Sequence, residues 1–275
     1  MTLFEAYQEG LKKLKNPELE EINLRILLCE NNHLKLMSEF YLKKDENIKD
    51  LQAFYRDLQR FLDGEPVQYI VGKCSFFGQD FLVTNNVLIP RNETEEVVAF
   101  AIGKIKQKFP NKKVKIVDVC CGTGCIGCSI YKNANVEEVL FSDISPKALE
   151  IARKNAKNLM VKGRFVVSDA LDYLHETVEV VIGNPPYILN KDDVDESVLK
   201  YEPHLALFID DDLTIYRKIL QKSVTLNVPL IIFEIGYDLK EKITKLFKDI
   251  AKGYKISFIK DMNGKDRICS LEKIL

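Results

Sequence analysis

Hydrophobic and polar positions along this chain change period twice. Over the first sixty-odd residues apolar side chains recur every three or four positions, at Leu3, Tyr7, Leu11 and Leu14 and again at Ile48, Leu51, Tyr55, Leu58 and Leu62. That spacing puts them on one face of a helix and predicts a small helical bundle over 1–66, its stripes forming a core. After "DGEP" the pattern shortens to strand-like runs, "VQYIVG", "CSFFG", "DFLVT" and "VLIP", with Asn85-Asn86 as a hairpin turn. Residues 67–90 are therefore expected to be a β-hairpin linker, followed by a second domain over 91–275. In "PRNETEEVV", Asn92 is expected to cap a helix and Glu95, three residues on, to complete a capping box.

From residue 112 strand-like and helix-like segments alternate. "KVKIVDVC", "VEEVLFSD", "RFVVSD", "VEVVIGN" and "VPLIIFEI" are apolar runs of strand length, and helical stretches such as "SPKALEIARKNAKNL" and "DLKEKITKLFKDI" separate several of them. The expectation is an α/β fold, a doubly wound and mostly parallel seven-stranded sheet. The last two strands, "YKISFIKDM" and "DRICSLEKI", have too little chain between them for a parallel crossover, so they must form a hairpin around Asn263-Gly264. One edge strand, the final one, is expected to run antiparallel.

Charge disfavours one class of function. With Lys+Arg 40 against Asp+Glu 41 and a net charge of -1, the chain has no global attraction for a phosphate backbone, and direct nucleic-acid binding is not expected. No apolar run approaches the length of a membrane span, and acids in "MTLFEAYQEG" do not suit a targeting segment. Seven cysteines, four of them between Cys120 and Cys128, do not look like a disulfide framework and fit a reducing compartment. A cytoplasmic monomer without membrane contact is the expectation.

The first strand-to-helix junction, "DVCCGTGCIGCS", supports three readings. Gly122, Gly124 and Gly127 spell GxGxxG, and Asp143 ends the next strand, as in a dinucleotide site. Cys121, Cys125 and Cys128 have the spacing of an iron–sulfur ligand set, although no barrel repeat is visible. The third reading is the glycine-rich loop of an S-adenosylmethionine-dependent methyltransferase. In both nucleotide readings the glycines let the backbone approach a ligand closely, and Asp143 suits a ribose diol. The cysteines then read as packing residues of the helix that the glycines open, and no metal is expected.

"GNPPY" discriminates further. Asn184 offers a side-chain carbonyl, Pro185 a backbone carbonyl held by a stiff ring, and Tyr187 a flat aromatic cover. In a sheet of this winding the strand before Asn184 should lie beside the first, so that Asn184 faces Gly122 to Gly124. Two fixed acceptors can draw both hydrogens of an –NH2 group out of plane and expose the nitrogen lone pair. Hydride transfer has no use for such a pair. Amino-methylation does.

With those residues on the page the chain resembles the HemK/PrmC protein-glutamine methyltransferases over nearly its whole length. The matching pieces are "GEPVQYIVGKCSFFGQDFLV", "LIPRNETEE", "DVCCGTGCIG", "SDISPKALEIARKNA", "GNPPYI", "YEPHLALF", "FEIGY" and "KDMNGKDR". The resemblance implies methylation of the side-chain amide of the Gly-Gly-Gln glutamine in class-1 peptide chain release factors, with S-adenosylmethionine as cofactor and S-adenosylhomocysteine as product. It also implies that Cys120, Cys121, Gly122, Thr123, Gly124, Asp143, Asp169, Ala170 and Asn184 bind the cofactor. Asn184, Pro185, Pro186, Tyr187 and Arg91 would hold the substrate, with Asn184, Pro185 and Tyr187 catalytic, and the helical domain would engage the release factor. A ribosomal-protein glutamine or, further off, an adenine amino group are the alternative substrates. Cys120, Asn92 and Asp212 depart from the family's usual glycine, proline and glycine. His204 reads as a surface or packing residue, and the acidic run "NKDDVDES" as a solvated loop near the site.

Overall fold

A computed structural model describes residues 1–35 and 37–274, which form two compact units, Met1–Lys73 and Cys74–Leu275. The first unit is helical. Its elements are α1 (Leu3–Lys13), α2 (Pro17–Asn31), α3 (Met37–Leu42), α4 (Leu51–Leu62) and α5 (Val67–Val71). Thr2 and Glu5 form a reciprocal capping box that starts α1, and Asp50 caps α4 through Ala53 N–H at 2.8 Å. The core combines Leu3, Leu24, Leu28, Phe40, Phe54 and Leu58. The expected stripe on α4 is shifted: Leu58 is buried, but Leu51 is exposed and Phe54 takes the central position.

The linker differs from expectation. "VQYIV" is helix α5, entered after Pro66 and ended by Gly72 in the left-handed region, and the helical unit runs past residue 66 to Lys73. The hairpin pairs β1 (Lys73–Phe76) with β2 (Gln79–Leu82). Its two-residue turn is Phe77-Gly78, both with positive φ, as mirror-image hairpin turns require. Asn85-Asn86 do turn the chain, but beyond the hairpin. Helix α6 (Asn92–Lys108) has Arg91 at its N-cap with no side-chain cap. Asn92 therefore does not cap it, and Glu95 instead accepts from Phe77 N–H at 2.7 Å, a tertiary partner having displaced the local one.

The remaining chain is the expected alternation. It contains β3 (Val114–Val119), α7 (Cys125–Asn133), β4 (Val136–Asp143), α8 (Pro146–Asn158), β5 (Gly163–Val167) and β6 (Val180–Gly183). After β6 come α9 (Glu196–Tyr201), α10 (Thr214–Thr225), β7 (Leu230–Glu234), α11 (Lys240–Ile250), β8 (Tyr254–Lys260) and β9 (Asp266–Lys273). The seven-stranded sheet has the order β5-β4-β3-β6-β7-β9-β8. Strands β3 to β7 pair in parallel, and β9 runs antiparallel to both β7 and β8. The antiparallel strand is thus the final one, as expected, but it lies inside the sheet and β8 takes the edge. No separate helix would be needed for that placement, because a hairpin folds back on itself while its second strand docks.

Alternate residues of each strand feed opposite layers. Ile116, Phe141 and Ile182 pack beneath α6, α7 and α8, while Val117, Leu140, Val181 and Phe233 pack beneath α10 and α11. The chain reverses its winding between β3 and β6, which are neighbours, and the ends of these two strands open the crevice where an open α/β sheet takes ligands.

Candidate active site

At the end of β3 the backbone enters the left-handed region repeatedly, with Cys120 at φ 57°, Gly122 at φ 52° and Gly124 at φ 75°. For Cys120 this is a strained conformation. The loop is held from outside. Asp143, at the end of β4, accepts from Gly122 N–H at 2.9 Å and from Ser145 N–H at 2.9 Å. Buried Asn155 of α8 donates to the Thr123 carbonyl at 2.9 Å and also accepts from Leu82 N–H at 2.7 Å, tying loop to hairpin. Burial raises the Asp143 carboxyl, and its backbone donors partly counter that.

The loop borders a cavity of about 330 Å³. Cys120, Cys121, Gly122 and Thr123 line it on one side; Asp143, Asp169, Ala170 and Asn184 line it elsewhere. Gly124 does not reach it: Phe141 and Ala152 stand 3.2 and 3.3 Å from where its Cβ would be, and its role is to turn the chain into α7. Ala170, at φ 53°, is fixed by Ser142 Oγ–H on its carbonyl at 3.1 Å. Lys218 of α10 pairs with Asp169 at the same cavity. Residues 86–88, 205–206 and 208–210 close its other sides; none of these was expected at the site from sequence.

Cys121, Cys125 and Cys128 are buried, their thiols pushed up by burial, and Cys125 and Cys128 sit in the core beside Val139 and Phe141. Among the described residues no group of His, Cys, Asp and Glu is arranged to hold a metal. Asp118 of β3 is fully buried, accepts from Gly127 N–H at 2.8 Å and is pushed up to about 8 by burial.

Asn184, Pro185, Pro186 and Tyr187 leave the sheet at the end of β6. Val119 and Gly183 are register partners, and a Cβ on Gly183 would stand 2.4 Å from the Val119 carbonyl oxygen. Only glycine allows the two strand ends this approach. Asn184 and Pro186 line the large cavity, while Asn184 and Tyr187 line a second one of about 190 Å³. Pro185 lines neither and is buried. Asn184 therefore stands between two adjoining spaces. Burial lifts the Tyr187 phenol above its usual range, so it remains neutral and serves as a surface.

Arg91 borders both cavities, but its guanidinium donates to Glu202. Glu202, a side chain 1% exposed, also accepts from Ile89 N–H at 3.1 Å. The acidic run is not a plain loop: Lys191–Asp193 forms a 3₁₀ turn and α9 follows, with Asp193, Val194, Asp195 and Val198 on the smaller cavity. His204 is exposed, with Nε2 2.8 Å from the Leu199 carbonyl and its ring edge-on to Phe208, a packing role as expected.

Two polar side chains lie behind the Asn184 segment. Tyr216 of α10 is fully buried; its hydroxyl donates to the Glu234 carbonyl at 3.0 Å and reaches the Pro185 carbonyl at 3.5 Å. Glu234, at the end of β7, is fully buried and pushed up to about 7 by burial. The sequence signal was a lone acid inside "LIIFEI", which a strand buried on both faces tolerates only for a reason.

The chain matches the methyltransferase small domain over residues 100–201 and the PrmC N-terminal domain over residues 5–72. It is 33% identical over 283 residues to a release factor glutamine methyltransferase of Bacillus subtilis, covering 98% of both chains. Another of that name, from Staphylococcus aureus, is 39% identical over 230 residues and 81% of both. Among solved structures the catalytic domain of hMettl16, in complex with the MAT2A 3′UTR hairpin 6, is similar with a TM-score of 0.56 and 16% identity, over 72% of this chain and 76% of that one. That likeness concerns the fold.

Proposed function

The chain belongs to the release factor glutamine methyltransferases, and from that premise we propose that it methylates the side-chain amide nitrogen of the Gly-Gly-Gln glutamine in class-1 release factors, using S-adenosylmethionine. The observation that carries this reading is the position of Asn184, on the wall of both cavities. The larger space suits the cofactor and the smaller one the glutamine side chain.

The residues fit the cofactor. Gly122 lines the larger cavity, and a Cβ there would meet nothing within 4 Å, so the missing side chain leaves room for a ligand. Asp143 already accepts two backbone N–H groups, yet a carboxylate keeps further lone pairs for the two hydroxyls of a ribose. Bound S-adenosylmethionine would supply a methyl group on a sulfonium, a good leaving group.

The protein's part is to make an amide nitrogen act as a nucleophile. An amide lone pair is delocalised, and planar geometry keeps it so. The side-chain oxygen of Asn184, on the wall of both cavities, accepts one N–H of the substrate, and the Pro185 carbonyl, which lies behind that wall and faces Tyr216, accepts the other through its second lone pair once the substrate is seated; the two favour a pyramidal nitrogen. Tyr187 covers the flat face of the amide. No strong base is needed: as the methyl–sulfur bond breaks and leaves a neutral thioether, the methylated nitrogen becomes strongly acidic and passes its proton to water. Alignment at about 3 Å supplies much of the remaining rate. Arg91, engaged by Glu202, fixes the cavity wall that both spaces share.

The test is transfer of a labelled methyl group to purified, unmodified class-1 release factor, with a factor whose Gly-Gly-Gln glutamine is replaced run in parallel. Label on the intact factor and none on the replaced one is expected. An equal signal on both would refute the assigned target atom.

A further inference from the structure

β6 and β7 are register partners through Gly183 and Phe233, so Asn184, the first residue past β6, stands beside Glu234, the last residue of β7, which is itself paired with Ile268 of β9. Glu234 is fully buried, and among the described residues neither carboxyl oxygen has a partner at full hydrogen-bonding distance, Thr94 and Asn184 being its nearest polar neighbours. Buried carboxyl groups are normally satisfied. The polar side chains turned toward this one are Thr94 of α6 and Asn184, with Arg267 of β9 and Glu93 of α6 as its charged surroundings. Tyr187, Tyr216 and Cys125 are the further titratable groups that feel its charge.

Asn184 has two ends. Its amide presents an acceptor to the substrate only if its own NH2 is held elsewhere, and a free Asn side chain discriminates poorly between the two orientations. An ionised carboxylate is an acceptor alone. We propose that Glu234 is a positioning residue for methyl transfer: ionised, it draws the Asn184 Nδ2–H groups toward itself and so holds Oδ1 toward the substrate nitrogen. Protonated, Glu234 would donate to Oδ1 and turn the Asn184 NH2 onto the substrate NH2, placing donor against donor. The Tyr216 hydroxyl, shared between the Glu234 and Pro185 carbonyls, fixes the second acceptor from the same side. This inference rests on the reading of the site given above.

Burial pushes Glu234 up to about 7, against the opposing pull of Thr94, Arg267 and Asn184. The two forms therefore exchange in the neutral range, and activity should rise as Glu234 ionises. Asp118 also titrates high, near 8, so the Glu234 contribution must be isolated by substitution.

Single-turnover transfer to intact release factor is measured between about pH 5.5 and about 9 with the wild-type enzyme, Glu234→Gln and Glu234→Asp. Glu234→Gln is expected to lower kcat about thirtyfold or more, with KM for the factor and cofactor affinity by calorimetry within about threefold. Its profile should lack the acid limb near pH 7 that the wild type shows, and Glu234→Asp should recover part of the rate. Wild-type kcat and an unchanged limb in Glu234→Gln would overturn the proposal. If Glu234→Gln does not bind cofactor, the wild-type profile decides: a rate flat between about pH 6 and about 8 overturns the proposal equally. Wild-type enzyme that binds cofactor but transfers no label at any pH would instead overturn the glutamine-methylation reading.

Discussion

The ends of β3 and β6 leave the sheet as register neighbours, Val119 beside Gly183, and yet they do opposite things. After β3 the chain drops its side chain at Gly122 and Gly124 and is bent through positive φ at Cys120, Gly122 and Gly124, so that backbone yields space to a ligand. After β6 it is stiffened by Pro185 and Pro186 and backed by the buried polar groups of Tyr216 and Glu234. The first segment is anchored through main-chain groups, by Asp143 on Gly122 N–H and Asn155 on the Thr123 carbonyl. The second is backed at the groups that would touch substrate. A site that must admit one partner and grip another divides the work between neighbouring strand ends, and equal substitutions on the two should have unequal effects.

The largest expected break is Asn184→Ala. It should cost about a thousandfold in kcat, the scale of losing a fixed polar group at a reacting centre, while cofactor affinity by calorimetry stays within about tenfold. Gly183→Ala attacks the seam between the segments. Its Cβ would stand 2.4 Å from the Val119 carbonyl oxygen, and since a rotamer change cannot move either group, a loss of about 3 kcal/mol in urea unfolding is expected. The third effect concerns the grip alone. Folded Glu234 binds its proton more tightly than the unfolded chain, with a value near 7 against 4.5. Its contribution is therefore fully present below about 4.5 and is lost as pH rises through about 7. Glu234→Gln should flatten that decline by up to about 3 kcal/mol, read from unfolding at a series of pH values. The smallest effect should come from Cys120→Gly in the loop. Relief of strain at φ 57° is offset by the greater chain entropy of glycine when unfolded, so stability should change by less than about 1 kcal/mol.

The sheet was legible because apolar runs such as "LIIFE" and "VKIVDV" recur between helix-period segments, although each run by itself is ambiguous. "VQYIV" misled for the same reason: a five-residue apolar run does not distinguish a strand from one turn of helix, and Pro66 and Gly72 bound it either way. Glu95 misled because its local partner lost to Phe77 N–H, eighteen positions away. The glycine loop and Asn184 to Tyr187 could be read because their chemistry resides in the residues themselves, the absence of a Cβ or of an N–H. Glu234, Tyr216 and Asn155 could not, since their roles exist only once β7, α10 and α8 have docked. The resting place of β9, between β7 and β8, was likewise a choice of tertiary pairing.

The hydrogen bond from Ile89 N–H to Glu202 joins residues 113 positions apart. Closing so large a loop is entropically unfavourable until the intervening strands have already drawn its ends together. During synthesis, which proceeds from the N-terminus, the chain through β6 must be complete before the segment bearing Glu202 emerges. The cavity wall at Leu88 and Arg91, held through Ile89 and Arg91, is therefore finished late, and a nascent chain that has its glycine loop still lacks a closed site. Competence to bind arrives as a closing event of folding, well after the glycine loop at the end of β3 has been made.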